Sequence, residues 1–127
     1  MTLTENSPLS IAEAARVTGV SAHALRYYEG QGLLDVPRTD AGRRAYGPRE
    51  LSAVRFITQL RRTGMPIATI RQYADMVRAG TNSTGAGLRL LEEHRDVLEA
   101  NLQVQQEFLR SITAKIDLYR GQLPEGG

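Results

Sequence analysis

The chain has 127 residues, 41% of them hydrophobic, a formal net charge of +2 and no cysteine. That length holds one compact domain plus one extended element and leaves little room for a large enzyme cleft. Without cysteine there is no disulfide, thiolate metal site, iron–sulfur ligation or thiol redox sensing, and with no apolar signal core in Met1 to Pro8 and no segment near membrane-span length, a cytoplasmic protein without membrane association is expected.

The small net charge hides an asymmetry. Residues 1–80 hold 11 arginines against 7 acids, a balance of +4, while residues 81–127 hold 5 basic and 7 acidic residues, a balance of −2. A basic half is the expected footprint of a nucleic-acid partner, although most such arginines on any protein are ordinary solvated surface.

Residues 1–8 read as a frayed start. Ser10 can cap a helix over roughly 11–17, and Glu13 three residues later completes a capping-box pattern. Thr18-Gly19-Val20 is a turn, with Gly19 suited to a left-handed cap. Ser21 opens a second helix that ends near Gln31 and Gly32. Leu33 to Tyr46 is rich in Gly, Pro and Arg and predicts two short strands around Asp40-Ala41-Gly42. Pro48 suits the first position of a third helix running to about Thr63, with Leu51, Val54, Ile57 and Leu60 on one face. Gly64 breaks it, and Pro66 opens a fourth helix to about Arg78. Ala79 to Gly87 is the expected boundary between a domain of residues 8–80 and a final helix.

From Leu88 the pattern becomes a heptad. Positions 88, 91, 95, 98, 102, 105, 109, 112, 116, 119 and 123 alternate steps of three and four, and nine of the eleven are apolar. A helix over about 84–119 would be roughly 50 Å long at about 1.5 Å per residue. Its narrow seam has no local partner, so a second copy of the chain is the simplest one. Leu91, Leu98, Leu102, Leu109, Ile112, Ile116 and Tyr119 are the expected dimerisation residues. Residues 120–127 read as a flexible tail, with no ligand domain expected after the helix.

Helix, tight turn, second helix and basic loop, in that order, make a DNA-reading module. The fold class expected is mainly all-α, a winged helix-turn-helix domain followed by a long dimerising coiled-coil helix. Arg26 can fork to a guanine edge or a phosphate, and Tyr27 can offer a hydroxyl to a phosphate. Tyr28 divides evenly between DNA contact and core packing, because Leu25 and Tyr28 lie three apart and can share a buried face. Ser21 and His23 sit on the first turn of the same helix, where a lone histidine is more often surface filler. In the loop, Arg38, Arg43 and Arg44 cluster around the turn and Tyr46 shares a strand face with Arg44. An arginine-bearing turn is usually only solvated, but its place behind a helix-turn-helix favours phosphate contact for Arg43, Arg44 and Tyr46, with Arg38 holding either the wing or a phosphate. His23 and His94 are isolated and make no metal site, and the sequence has no catalytic triad, phosphate loop or paired-carboxylate signature. No cofactor and no enzymatic activity are expected.

These residues resemble the MerR family of bacterial transcription regulators over nearly the whole length. The likeness rests on Ile11 to Ala15, Thr18-Gly19-Val20-Ser21, Leu25-Arg26-Tyr27-Tyr28-Glu29, Gly32-Leu33-Leu34, Arg38, Gly42-Arg43-Arg44 with Tyr46, Leu51 and Phe56-Ile57. In the later half, Arg62-Thr63-Gly64-Met65-Pro66-Ile67, Leu90-Leu91-Glu92-Glu93-His94-Arg95 and Lys115-Ile116-Asp117-Leu118-Tyr119 are similar to the aldehyde- and electrophile-responsive branch. The resemblance implies a homodimer joined by an antiparallel coiled coil, binding to double-stranded promoter DNA with an overlong spacer, and activation of RNA polymerase by distorting that DNA. The chain departs from the branch at Gln59, where a cysteine often stands before Leu-Arg or Leu-Lys and Thr-Gly-Met, so thiol sensing of aldehydes is excluded. The effector therefore stays open, and a regulator without one is an alternative. A multidrug-type sensor would place a small molecule where the fourth helix meets the coiled coil, near Tyr73, Met76 and Val77. A coiled-coil adaptor that never touches DNA would explain the long helix but not the basic loop.

Overall fold

The computed structural model describes residues 7–80 and 84–124. Most of the frayed start, part of the expected connection and the last three residues of the expected tail lie outside them. Among the described residues the order is α1 (Ile11–Thr18), α2 (Ala22–Gly30), α3 (Pro48–Arg62), α4 (Ile67–Ala79) and α5 (Thr84–Gln122). The chain divides into a head, Met1–Leu88, and a helical unit, Arg89–Gly127. The division lies eight residues beyond the expected end of the domain, because the first turn of α5 goes with the head.

The caps explain why α1 and α2 begin and end where they do. The Ser10 hydroxyl accepts the Glu13 N–H at 3.2 Å and the Glu13 carboxylate accepts the Ser10 N–H at 2.9 Å, satisfying two of the donors that a helix start leaves open. Gly19 closes α1 at φ 73°, a left-handed conformation that costs a glycine little, and its N–H reaches the Ala15 carbonyl. The Thr18 hydroxyl ties the same turn, donating to the Ala14 carbonyl at 2.7 Å and accepting the Val20 N–H at 3.2 Å. Ser21 caps α2 by accepting the Ala24 N–H at 3.1 Å. At the other end Gly32 takes φ 74° and lets the Leu33 N–H turn back to the Tyr28 carbonyl at 2.9 Å.

The loop after α2 is not a pair of strands. It holds two isolated antiparallel bridges, Arg38 to Arg44 and Leu9 to Tyr46. Gly42 turns the tip, and the Thr39 N–H meets the Arg43 carbonyl at 2.7 Å. Pro37 lacks a donor, so it joins the pairing only through its carbonyl, which accepts the Ala45 N–H at 2.9 Å. Leu9 and Tyr46 exchange both backbone bonds at 2.8 Å, which ties the segment before α1 to the segment after the wing.

Pro48 opens α3 as expected, and Glu50 accepts the Gly47 N–H at 2.8 Å. α1 packs on α2 and α3, and α3 on α4. Ala14, Val20, Leu25, Tyr28, Leu33, Leu34, Val36, Tyr46, Val54, Ile57, Leu60, Met65 and Ile70 form the head's core. The alternation of α3 predicted Val54, Ile57 and Leu60, and all three are buried; Leu51 is half-buried.

α5 runs to Gln122, three residues past the expected end, so the tail begins later than residue 120. Arg120 in its last turn offsets the partial negative charge of the helix end.

Candidate nucleic-acid interface

α2 is a helix with one face in the core and one face in solvent. Leu25 and Tyr28 are buried, three residues apart, while Ser21, His23, Arg26 and Tyr27 are exposed. The Tyr28 hydroxyl pairs with the Thr58 hydroxyl of α3 at 3.0 Å, and Thr58 in turn donates to the Val54 carbonyl at 2.8 Å. Its polar atom is thus spent inside the head, and Tyr28 is a core residue rather than a DNA contact. Arg26 makes no ion pair among the described residues, so its guanidinium is available.

The wing arginines divide in the same way. Arg43 is exposed at the tip and makes no ion pair among the described residues. Arg38 and Arg44 instead meet one carboxylate. Glu29, near the end of α2, accepts the Arg44 Nε–H at 2.7 Å and the Arg38 guanidinium at 3.3 Å. Arg44 and Tyr46 were expected to share a phosphate-facing side. Tyr46 is fully buried, and its hydroxyl is enclosed without a hydrogen-bond partner among the described residues. It cannot contact a phosphate as placed. The reason is the Leu9–Tyr46 bridge, which turns residue 46 under the wing and into the core. Burial pushes the Tyr46 phenol above its usual range, with the Glu29 charge acting in the same direction and Arg44, Arg38 and Arg26 opposing it.

Three further arginines were not foreseen. Arg61, in the last turn of α3, stands 5.5 Å from the ring centre of Tyr27 and 5.6 Å from that of Tyr28, within cation–π reach of both. Arg71 donates from Nε to the Gln31 carbonyl at 2.6 Å and from a terminal nitrogen to the Gln31 side chain at 2.8 Å. Arg78 donates to the Gly32 carbonyl at 2.6 Å and pairs with Asp35 and Asp75. α4 therefore holds the carbonyls at the end of α2. The spacing of 71, 75 and 78, steps of four and three, was a readable sign that these charges share one face of α4. Nothing local marks Arg61.

In the helical unit every residue from Arg95 to Pro124 is exposed. Leu98, Leu102, Leu109, Ile112, Ile116 and Tyr119 all present large apolar surface, and Leu91 is half-buried. Val97, Val104 and Leu118 are exposed as well. They recur at steps of seven and fourteen, each about 100° around the helix from the next seam position at about 3.6 residues per turn, so they form a second strip outside the seam.

The head also carries an open cleft of about 710 Å³. Tyr73 and Val77 line it, with Leu34, Val36, Phe56 and Ile57, while Met76 does not. Phe56 and Tyr73 meet there with ring centres 5.6 Å apart.

Residues 9–77 match the family model described as MerR HTH family regulatory protein, and residues 51–115 match the model described as MerR, DNA binding. The chain belongs to the MerR family. It is therefore a transcriptional regulator with a DNA-binding domain, and not an enzyme. Among curated relatives, the uncharacterized HTH-type transcriptional regulator YyaN of Bacillus subtilis (strain 168) is 30% identical, covering 91% of this chain and 94% of that protein. A MerR family regulator from Listeria monocytogenes superposes with a TM-score of 0.85 at 36% identity, over 88% of this chain and 86% of that one. The crystal structure of HiNmlR, titled a MerR family regulator lacking the sensor domain and bound to promoter DNA, superposes with a TM-score of 0.84 at 26% identity, over 90% and 91%. These MerR neighbours match both units of the chain in extent, so the likeness is not confined to the helix-turn-helix.

Proposed function

We propose that this MerR regulator binds promoter DNA as a homodimer, with α2 in the major groove and the wing on the flanking backbone. The observation that carries the reading is the division of α2 into a buried face, Leu25 and Tyr28, and an exposed face bearing His23, Arg26 and Tyr27, with Arg43 exposed at the wing tip and in no ion pair among the described residues. A helix held this way presents side chains to base edges and phosphates while its far side anchors it. The likeness to a family member crystallised bound to promoter DNA supports promoter DNA as the partner. The uncovered apolar face of α5 favours pairing with a second copy, which would set two heads about one helical turn, ~34 Å, apart. Distortion of the spacer and engagement of RNA polymerase are the mode of action that membership of the family implies. No helix among the described residues is long and apolar enough to cross a membrane.

The cleft gives a small-molecule effector a place inside the head. On its rim Asp35 is paired with Arg78, and Glu29 with Arg38 and Arg44, while Arg49 makes no ion pair among the described residues. An effector there would be an apolar body with room for one acidic group near Arg49.

The test is a duplex selected by the wild-type protein from a random pool. Arg26→Ala should weaken binding to it by roughly 1–3 kcal/mol, the value of a good base contact. Arg43→Ala should weaken selected and scrambled duplexes alike and lower the salt slope by about one. Unchanged affinity in both variants would refute the assignment of the face.

A further inference from the structure

We infer that Glu29 is a positioning residue for DNA recognition: one carboxylate joins the recognition helix to both sides of the wing and aims the wing arginines. The inference rests on the reading of α2 and the wing as the DNA face. Arg38 and Arg44 face each other across the wing's internal bridge, and both reach Glu29. Arg44 uses Nε for this bond and Arg38 one terminal nitrogen. Each guanidinium keeps further N–H groups for a phosphate. The carboxylate therefore does not consume the arginines. It fixes where their remaining donors point.

Two observations argue that this placement is not incidental. Glu29 stands at the C-terminal end of α2, where the helix dipole disfavours a negative charge. Arg38 and Arg44 offset that cost. Arg71 and Arg78 also hold that end through the Gln31 and Gly32 carbonyls. The end of α2 is thus tied to the wing on one side and to α4 on the other. In addition, Glu29 is only 21% exposed at the side chain, and Arg44 25%, so water screens their bond less than it would a surface pair.

The inference opposes the simple electrostatic expectation, and that makes it testable. Removing an acid beside a phosphate-binding surface should strengthen binding if charge alone matters. If Glu29 positions the wing, removing it should weaken specific binding in spite of the gained positive charge. Glu29→Gln, Glu29→Asp and Arg26→Ala are compared on the selected duplex and on a scrambled one, by fluorescence anisotropy over a salt series.

Glu29→Gln should lose about tenfold on the selected duplex, the scale of one coupled ion-pair network, and keep or gain affinity for the scrambled one. Glu29→Asp, which retains the charge, should recover most of the loss. In an Arg44→Ala background the Glu29→Gln loss should shrink, because the Arg44 ion pair that the neutral amide weakens is already gone. Selected-duplex affinity at or above wild type for Glu29→Gln, with Arg26→Ala still weakened, overturns the positioning role and leaves the DNA face standing. Equal loss on both duplexes also overturns it, since that marks a damaged head. No loss in either variant overturns the DNA face and this inference with it.

Discussion

The head and the long helix satisfy the same physical requirement by opposite means. In the head, short helices of eight to fifteen residues bury Leu25, Tyr46, Val54 and Ile70 completely. In the helical unit, 30 consecutive residues from Arg95 to Pro124 bury nothing, although the seam is mostly leucine, isoleucine and tyrosine. Backbone bonds inside α5 are satisfied by the helix itself, so its regularity needs no core. Its apolar face does. The head is folded by contacts within one chain, whereas the long helix carries a pattern that only another surface can complete. The comparison teaches that an apolar residue has no fixed energetic meaning until its partner is known. Leu60 and Leu102 are the same side chain, one 5% exposed and the other 57%.

The comparison is most easily broken in the seam. Leu102→Asp and Ile112→Asp should each put a charge where apolar side chains are expected to meet, costing several kcal/mol of association. Sedimentation should show a wild-type dimer and a variant monomer at micromolar concentration, with the thermal unfolding of the head present in both. A wild-type monomer at that concentration would remove the second copy as the missing surface.

A second test lies in the head, at the residue the sequence misplaced. Tyr46→Ala should destabilise by roughly 3–5 kcal/mol, the range for emptying a large aromatic site. Tyr46→Phe should do the reverse. The enclosed hydroxyl has no partner among the described residues, so its removal should be neutral or stabilise by about 1 kcal/mol. Urea unfolding separates the two. A Tyr46→Phe variant that loses more than about 1 kcal/mol would mean that the hydroxyl is bonded in solution.

How much of this was legible can be argued residue by residue. The caps at Ser10, Gly19, Ser21 and Pro48 were readable because each solves a local problem of unsatisfied backbone groups. Leu25 and Tyr28 were readable as sharing one face because three-residue spacing alone decides that. Tyr46 was not. A two-residue alternation puts 44 and 46 on one side, but which side is inside depends on pairing with Leu9, 37 positions earlier. The grip of Glu29 on Arg38 and Arg44 likewise crosses 9 and 15 positions. No periodicity reports such pairs. The seam was readable as a pattern, and the second strip through Val97, Val104 and Leu118 was not, because a strict heptad template does not ask for it.

A smaller effect is expected where α4 holds the end of α2. Arg71 is half-buried and makes two bonds to Gln31, one of them to a backbone carbonyl. Arg71→Ala should cost roughly 1–3 kcal/mol, the range for bonds from a charged donor. Arg71→Lys should recover only part, since an ammonium cannot present two donors in a planar fork. Amide exchange at Leu33, which bonds back to the Tyr28 carbonyl, should quicken in the alanine variant. Unchanged exchange there would show that α2 holds its own end and that the head is less tightly knit than its hydrogen bonds suggest.

The smallest effect concerns the first turn of the head, and it has a definite sign. The backbone bond from Ser10, followed by the bond with its side chain, holds the Glu13 carboxyl below its ordinary value of 4.5. The folded state therefore binds fewer protons at this site than the unfolded chain does. Stability from it is complete above the unfolded value and is lost as pH falls through the lower folded value. Glu13 is exposed, so solvent screens the effect and it should be small. Melting curves between pH 7 and pH 3 should show the wild type losing stability relative to Glu13→Gln, which can accept the same Ser10 N–H without a charge. The gap should close only in the acid range, because no proton is exchanged at this site near neutrality. A gap that is the same at both ends of the range would show that the Ser10 bonds do not prefer the charged carboxylate. The helix would then begin on the Ser10 hydroxyl alone, as α2 begins on Ser21.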